Sequence, residues 1–322
     1  MPSSPKFRPA DDSQSRRAGE RPDEFVAPAG PPRLRGEYRR LAGKPPVGGQ
    51  AASVRPSPAG ALPAALPGSR SGPARHDELK LCGLAAVRAR FSRDPGSIRR
   101  LFFDYATGRQ IGVICRVLAQ AKKVYRCVEP AELEKVAGSV HHGGIVAVAD
   151  APALRAAAAD DVKRWARRRE SLLVLDRIGN PHNLGAIART AAFFGLPRII
   201  LPDDPGAARP GDAAYRIAEG GLEFLEMNLV PSLPAFLRQL GVAGYDVVGA
   251  ATRGGGAASA TAASGRPAPI ALVLGNEEHG LAAETAAACS RLVTLAGHGK
   301  VESLNVSVAA AVLMWELFGR RA

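Results

Sequence analysis

Apolar positions along this chain change their rhythm several times. Residues 1–75 show no period at all, with Pro, Gly, Ala, Ser and Arg following one another irregularly. From His76 a pattern sets in. Residues 79–90 (LKLCGLAAVRAR) fit a helix broken at Gly83, and 98–103 fit a strand. Residues 111–123 fit an amphipathic helix with Ile111, Ile114, Val117 and Leu118 on one face, followed by a strand at 124–128 and a short helix at 131–137. His141 to Val148 reads as a loop running into a strand. Helix and strand alternate here over about 75 residues, enough for one small α/β sandwich. Residues 151–170 are Ala-rich and then charged, closing on Arg167-Arg168-Arg169, and predict a helical linker. Beyond it, short apolar runs at 172–175, 198–201, 246–249, 270–274 and 291–295 predict strands, and 185–194, 231–240, 282–288 and 305–318 predict helices. That alternation predicts a mainly parallel sheet covered on both faces.

Charge narrows the choice of partner. The 322 residues carry a formal charge of +13, which favours a polyanion, nucleic acid first. The first 75 residues hold 13 Lys and Arg against 6 Asp and Glu, a net of +7, so the remaining +6 spreads over 247 residues. Such a segment cannot bury enough apolar surface to offset its ordering entropy, and it predicts a disordered basic arm. It serves either as a salt-sensitive RNA arm or as a passive tail. Arg164, Arg167 and Arg168 are similarly open between phosphate contacts and a solvated helix face. Cys82, Cys115, Cys127 and Cys289 are isolated in sequence and predict thiols in a reducing compartment; no metal-ligand spacing occurs. No run approaches the ~20 apolar residues of a membrane span, and no signal peptide opens the chain, so a cytoplasmic protein is expected. The Gly-rich stretch 252–269 predicts a surface loop, and neither common phosphate-binding glycine motif is present.

Three stretches carry candidate chemistry. In the first, a strand ends at Asp176, passes through a Gly/Asn/Pro loop and restarts as a small-residue helix, a usual place for an α/β ligand site. Asn183 is the expected N-cap, with Arg189 six residues on. In the second, the strand 270–274 runs into Gly275-Asn276-Glu277-Glu278-His279-Gly280-Leu281. Gly275 allows close backbone approach, and a carboxylate at that sheet edge can orient a hydroxyl or an amine. The third runs from Leu295-Ala296-Gly297 to Ser303-Leu304-Asn305. Ser303 or Asn305 caps a following helix that is apolar on most sides, which points to burial, in part against another subunit. Taken singly, each has a plainer reading: a surface Arg, a turn with solvated acids, a helix cap.

Together they resemble the three motifs of the SpoU/TrmH family of RNA 2′-O-ribose methyltransferases. These are N-x-G-x-x-x-R at Asn183, Gly185 and Arg189; G-x-E-x-x-G-L at Gly275, Glu277, Gly280 and Leu281; and S-L-N-V-S-V-A from Ser303 to Ala309. The resemblance covers 171–322, and 79–150 is similar to the L30e-like substrate-binding domain that often precedes it. It implies an RNA-binding domain (76–150) and a catalytic domain (171–322); the basic arm (1–75) lies outside it, and the charged helical linker (151–170) joins the two domains. The catalytic α/β sheet would be threaded into a deep trefoil knot holding S-adenosylmethionine, with Leu274, Gly275, Gly280, Leu295 and Leu304 around the cofactor. A homodimer through the last helix, and tRNA or rRNA as substrate, are implied as well. One departure stands out: Leu295-Ala296 replaces the family's Ile-Pro, which loosens that turn. For the chemistry, Arg189 is expected to anchor RNA phosphate and stabilise developing oxyanion charge, since guanidinium stays protonated. Glu277, Ser303 and Asn305 would orient Arg189 and the ribose, and Asn183 would support the loop or contact the nucleotide. The competing reading is a knotted RNA-binding protein that has lost catalysis.

Overall fold

A computed structural model of the chain describes residues 78–257 and 268–319. The expectations for the 1–75 arm, and for most of the 252–269 loop, lie outside these residues. A small mixed sheet comes first, from β1 (Glu78–Cys82), β2 (Ile98–Phe103), β3 (Val124–Cys127) and β4 (Ile145–Asp150), in the order β1-β4-β2-β3. β4 runs antiparallel to β1 and β2, and β2 parallel to β3. Four helices accompany it: α1 (Leu84–Arg93), α2 (Tyr105–Gly108), α3 (Gly112–Gln120) and α4 (Pro130–Ala137).

The helix expected over 79–90 is therefore divided. Leu79 and Leu81 are buried on either side of half-buried Lys80, a period of two that marks a strand. Gly83 then takes φ +90°, which turns the chain into α1.

A linker containing the two-residue β5 (Arg155–Ala156) and α5 (Ala159–Arg168) leads to the larger sheet. Its other strands are β6 (Leu172–Leu175), β7 (Arg198–Pro202), β8 (Glu226–Val230), β9 (Asp246–Ala250), β10 (Ile270–Leu274) and β11 (Arg291–Val293). The order is β11-β9-β10-β6-β7-β8-β5, with every pairing parallel. Helices α6 (Pro181–Phe193), α7 (Asp212–Ala218), α8 (Leu233–Val242), α9 (Ala283–Ala287) and α10 (Val306–Leu317) complete the fold. β8 and α7 escape the sequence pattern. Glu226 and Asn228 interrupt the apolar run of one, and the other spans only seven residues with no side-chain cap.

Successive residues of β6 and β10 feed two cores on opposite faces. Leu173, Leu175, Leu272 and Leu274 pack with Leu184 and Ile187 of α6 and with Leu313 and Met314 of α10. Leu172, Val174, Ala271 and Val273 pack with Leu237 of α8 and Trp165 of α5. Each fully buried Leu, Ile or Val among them contributes roughly 1.5–3 kcal/mol of transfer free energy. The chain runs outward from β6 through β7 to β8 and returns on the other side of β6, so β6 and β10 flank the switch point where ligands bind in parallel α/β sheets.

The small sheet is tied to the larger body by polar contacts. Buried Arg90 of α1 pairs with Glu223 at 2.8 Å and donates to the hydroxyl of Tyr215 on α7 at 3.4 Å. The backbone N–H of Lys80 donates to Asp212 at 2.9 Å. Among the described residues no helix is long and apolar enough to cross a membrane.

Candidate active site

The first stretch is set by where α6 begins. Asn180, not Asn183, caps the helix: its side-chain oxygen accepts from the His182 N–H at 2.8 Å, and Pro181 occupies the first turn. Proline is pre-organised for that position and draws the helix start three residues ahead of the expectation. Asn183 is thereby freed from capping. It lies inside α6 at 9% exposure and turns its amide toward the other two stretches.

The second stretch folds back on itself. Asn276 and Gly280 exchange backbone hydrogen bonds at 3.0 and 2.9 Å, and Gly280 adopts φ +67°. A Cβ on Gly275 would lie 2.3 Å from the backbone of Gly280 and Leu281, so no larger residue fits there. The Asn276 side chain accepts from the N–H groups of Glu278 and His279 at 3.0 and 3.1 Å and donates to the Arg177 carbonyl at 2.8 Å. Buried Asp176 accepts from the Ala282 N–H at 2.7 Å and pins the exit of the same turn. Glu277 is left pointing at α6.

A relay of side chains joins the three stretches. Asn183 Nδ2 donates to Glu277 Oε1 at 2.8 Å, and Asn305 Nδ2 donates to Asn183 Oδ1 at 3.2 Å. A carboxylate can only accept, so the Asn183 NH2 must face Glu277, which fixes the amide flip and leaves its oxygen for Asn305. Asn305 in turn caps α10, accepting from the Ser307 N–H at 2.9 Å. Glu277 Oε2 takes a further, longer bond of 3.4 Å from the Gly179 N–H. One residue from each motif thus shares one network across stretches 94 and 122 positions apart.

Other expected residues stand elsewhere. Arg189 lies six residues beyond Asn183, about 120° around the helix at 3.6 residues per turn. Its guanidinium pairs with Glu219 at 3.0 Å, not with Glu277, Ser303 or Asn305. Ser303 is exposed. Leu274 is buried at the end of β10, Leu295 is half-buried against the core, and Leu304 is 49% exposed. The backbone N–H groups from Leu295 to Leu304 meet no acceptor among the described residues. This loop leads directly into Asn305 of the relay. Glu219, Asn276 and Asn180 escaped the sequence reading. Only Asn180, directly before a proline, carried a visible signal.

The SpoU rRNA methylase family profile matches residues 170–315, and the profile for RNA 2′-O ribose methyltransferase substrate binding matches residues 80–154. The chain belongs to the SpoU rRNA methylase family. As a member it is an RNA 2′-O-methyltransferase with a substrate-binding region ahead of its catalytic part. This SpoU methylase is 34% identical over 245 residues to a 23S rRNA (guanosine-2′-O-)-methyltransferase RlmB of Ralstonia nicotianae, covering 75% of this chain and 96% of that one. It is 32% identical over 245 residues to YfiF of Escherichia coli O157:H7, an uncharacterized tRNA/rRNA methyltransferase, covering 75% and 68%. The SpoU methyltransferase AviRb of Streptomyces viridochromogenes, solved in complex with AdoMet, matches with a TM-score of 0.58 at 25% identity, over 79% of this chain and 94% of that one.

Proposed function

We propose that this SpoU methylase transfers a methyl group from S-adenosylmethionine to a ribose 2′-hydroxyl of ribosomal RNA in the cytoplasm. The observation that carries the reading is the Asn183–Glu277–Asn305 relay, which draws the three motifs to one place. The residues present fit the cofactor. The N–H groups from Leu295 to Leu304, without acceptors among the described residues, and the closed turn at Gly275 to Gly280 suit a ligand bound mainly through backbone, and Leu274, Leu295 and Leu304 supply apolar contact. When bound, the cofactor supplies an electrophilic methyl group on a sulfonium. The chain supplies position and charge. Glu277 and Asn183 hold the floor of the site, Asn305 and Ser303 orient the ribose, and Arg189 binds the phosphate beside it. The substitution of Leu295-Ala296 for Ile-Pro leaves Leu295 packed on the core, which keeps the apolar contact.

A homodimer completes this reading. Val308, Val312 and Trp315 of α10 are 39–51% exposed, and Phe193 at the end of the adjacent α6 is 83% exposed, an apolar strip suited to a second copy. Arg189 is one helical turn before Phe193, so in a dimer it faces the partner. The trefoil knot and the boundaries at 76, 151 and 171 belong to the same proposal. The rRNA preference rests on the RlmB relatives. Purified full-length protein, labelled S-adenosylmethionine and rRNA lacking the modification test it: label at a ribose 2′-oxygen is expected. Neither label transfer nor calorimetric cofactor binding would leave an RNA-binding protein without catalysis.

A further inference from the structure

Arg189 and Glu219 form an ion pair with both side chains more than half exposed, at 56% and 57%. Exposed pairs of this kind add little stability, so the contact calls for another reason. Its backbone sharpens the question. Glu219 closes α7 in a left-handed conformation, φ +45° and ψ 43°, which a side chain takes only at a cost. Glycine would sit there freely, and the next two residues are glycines.

Packing makes the placement rigid. A Cβ on Gly221 would lie 2.9 Å from the Arg189 Cα, and one on Gly185 would lie 2.4 Å from the Ala214 carbonyl oxygen. The segment 212–223 therefore presses backbone to backbone against α6. Its other side is held by the small domain, through Lys80 N–H to Asp212, Arg90 to Glu223, and Gly220 against Ala85 and Ala89 of α1.

We infer that Glu219 is a positioning residue for Arg189. Its carboxylate takes one terminal nitrogen of the guanidinium, the only partner Arg189 has among the described residues. That draws the guanidinium toward α7 and leaves its Nε edge free to meet a phosphate with two parallel bonds. Because the small domain clamps the segment carrying Glu219, the body that binds RNA also sets where the arginine stands. The inference rests on the reading that Arg189 serves methyl transfer to RNA.

The test uses the full chain with rRNA and labelled S-adenosylmethionine. Glu219→Gly relieves the left-handed strain, so its unfolding temperature should equal or exceed that of the parent. Its kcat should nevertheless fall about tenfold with KM for RNA within about twofold, since a small misplacement of a catalytic group costs rate. Glu219→Gln keeps an acceptor and should restore most of the rate. Glu219→Asn tolerates the same backbone but is too short to reach, and should behave as the glycine variant does. In an Arg189→Ala background Glu219→Gly should change nothing further. If Arg189→Ala is inactive while Glu219→Gly and Glu219→Asn turn over at the parental rate, the positioning role is overturned and the arginine's role stands. If Arg189→Ala itself turns over normally, the underlying reading fails, and this inference with it.

Discussion

Replacing Arg90 by leucine puts the joint between the small domain and the catalytic body under strain of known size. Arg90 is 3% exposed, and its guanidinium donates to Glu223 at 2.8 Å, to the Asp150 carbonyl at 3.2 Å, and to Ser97 and Tyr215 at 3.4 Å. In Arg90→Leu the Glu223 carboxylate, 7% exposed, keeps its burial and loses its counter-charge. Removing one partner of a buried pair costs about 3–5 kcal/mol. At about 2–4 °C per kcal/mol for a body of this size, the melting temperature should fall by roughly 6–20 °C. The pH dependence has a definite sign. Burial, the largest cause, holds the Glu223 carboxyl above the usual carboxylate range, and Arg90 pulls it back down. Without Arg90 it rises further. A carboxyl whose folded value exceeds its unfolded one binds its proton more tightly when folded, so its cost is absent below the unfolded value and grows as pH rises through the folded one. The deficit of Arg90→Leu relative to the parent should therefore shrink between about pH 7.5 and about pH 5. Thermal unfolding by circular dichroism at both values measures it, and Arg90→Leu combined with Glu223→Leu should recover at least half of the loss near neutral pH. A melting shift below about 2 °C, or a deficit that widens on acidification, would refute the account.

Three further outcomes are expected. Gly275→Ala places a methyl carbon 2.3 Å from the Gly280 and Leu281 backbone and should weaken cofactor binding by roughly tenfold or more, read by calorimetry; unchanged affinity would remove that turn from the site. Asn183→Asp sets a second carboxylate against Glu277 at the present 2.8 Å contact and should reduce methyl transfer further than Asn183→Ala does; the opposite ranking would show that the amide donor is dispensable. Deleting residues 1–75, with their net charge of +7, should weaken RNA binding mainly at low salt, and an unaltered salt slope would make the arm passive.

The sequence disclosed this fold unevenly, for physical reasons. β6 and β10 are buried on both faces and therefore read as unbroken apolar runs. β1 hid inside a longer helical pattern because only Gly83 marks the change of period. β8 hid because Glu226 serves the Arg198 ion pair rather than the core. At the site, Asn183, Glu277 and Asn305 were legible as motif residues, but their mutual bonds depend on tertiary proximity that no local spacing encodes. Arg189 was legible too, and its partner was not: Glu219 lies 30 residues later, at the end of a helix too short to leave a periodic trace.

The two residues of β5 bear on how such enzymes can be recombined. Arg155 and Ala156 pair with Asn228 and Leu229, closing the outer edge of the catalytic sheet with chain that precedes α5. A chimera that grafts a different RNA-reading module should keep this ribbon with the methylase half. Cutting at 171 would strip the rim and leave β8 as raw edge, open to pairing with a neighbouring molecule.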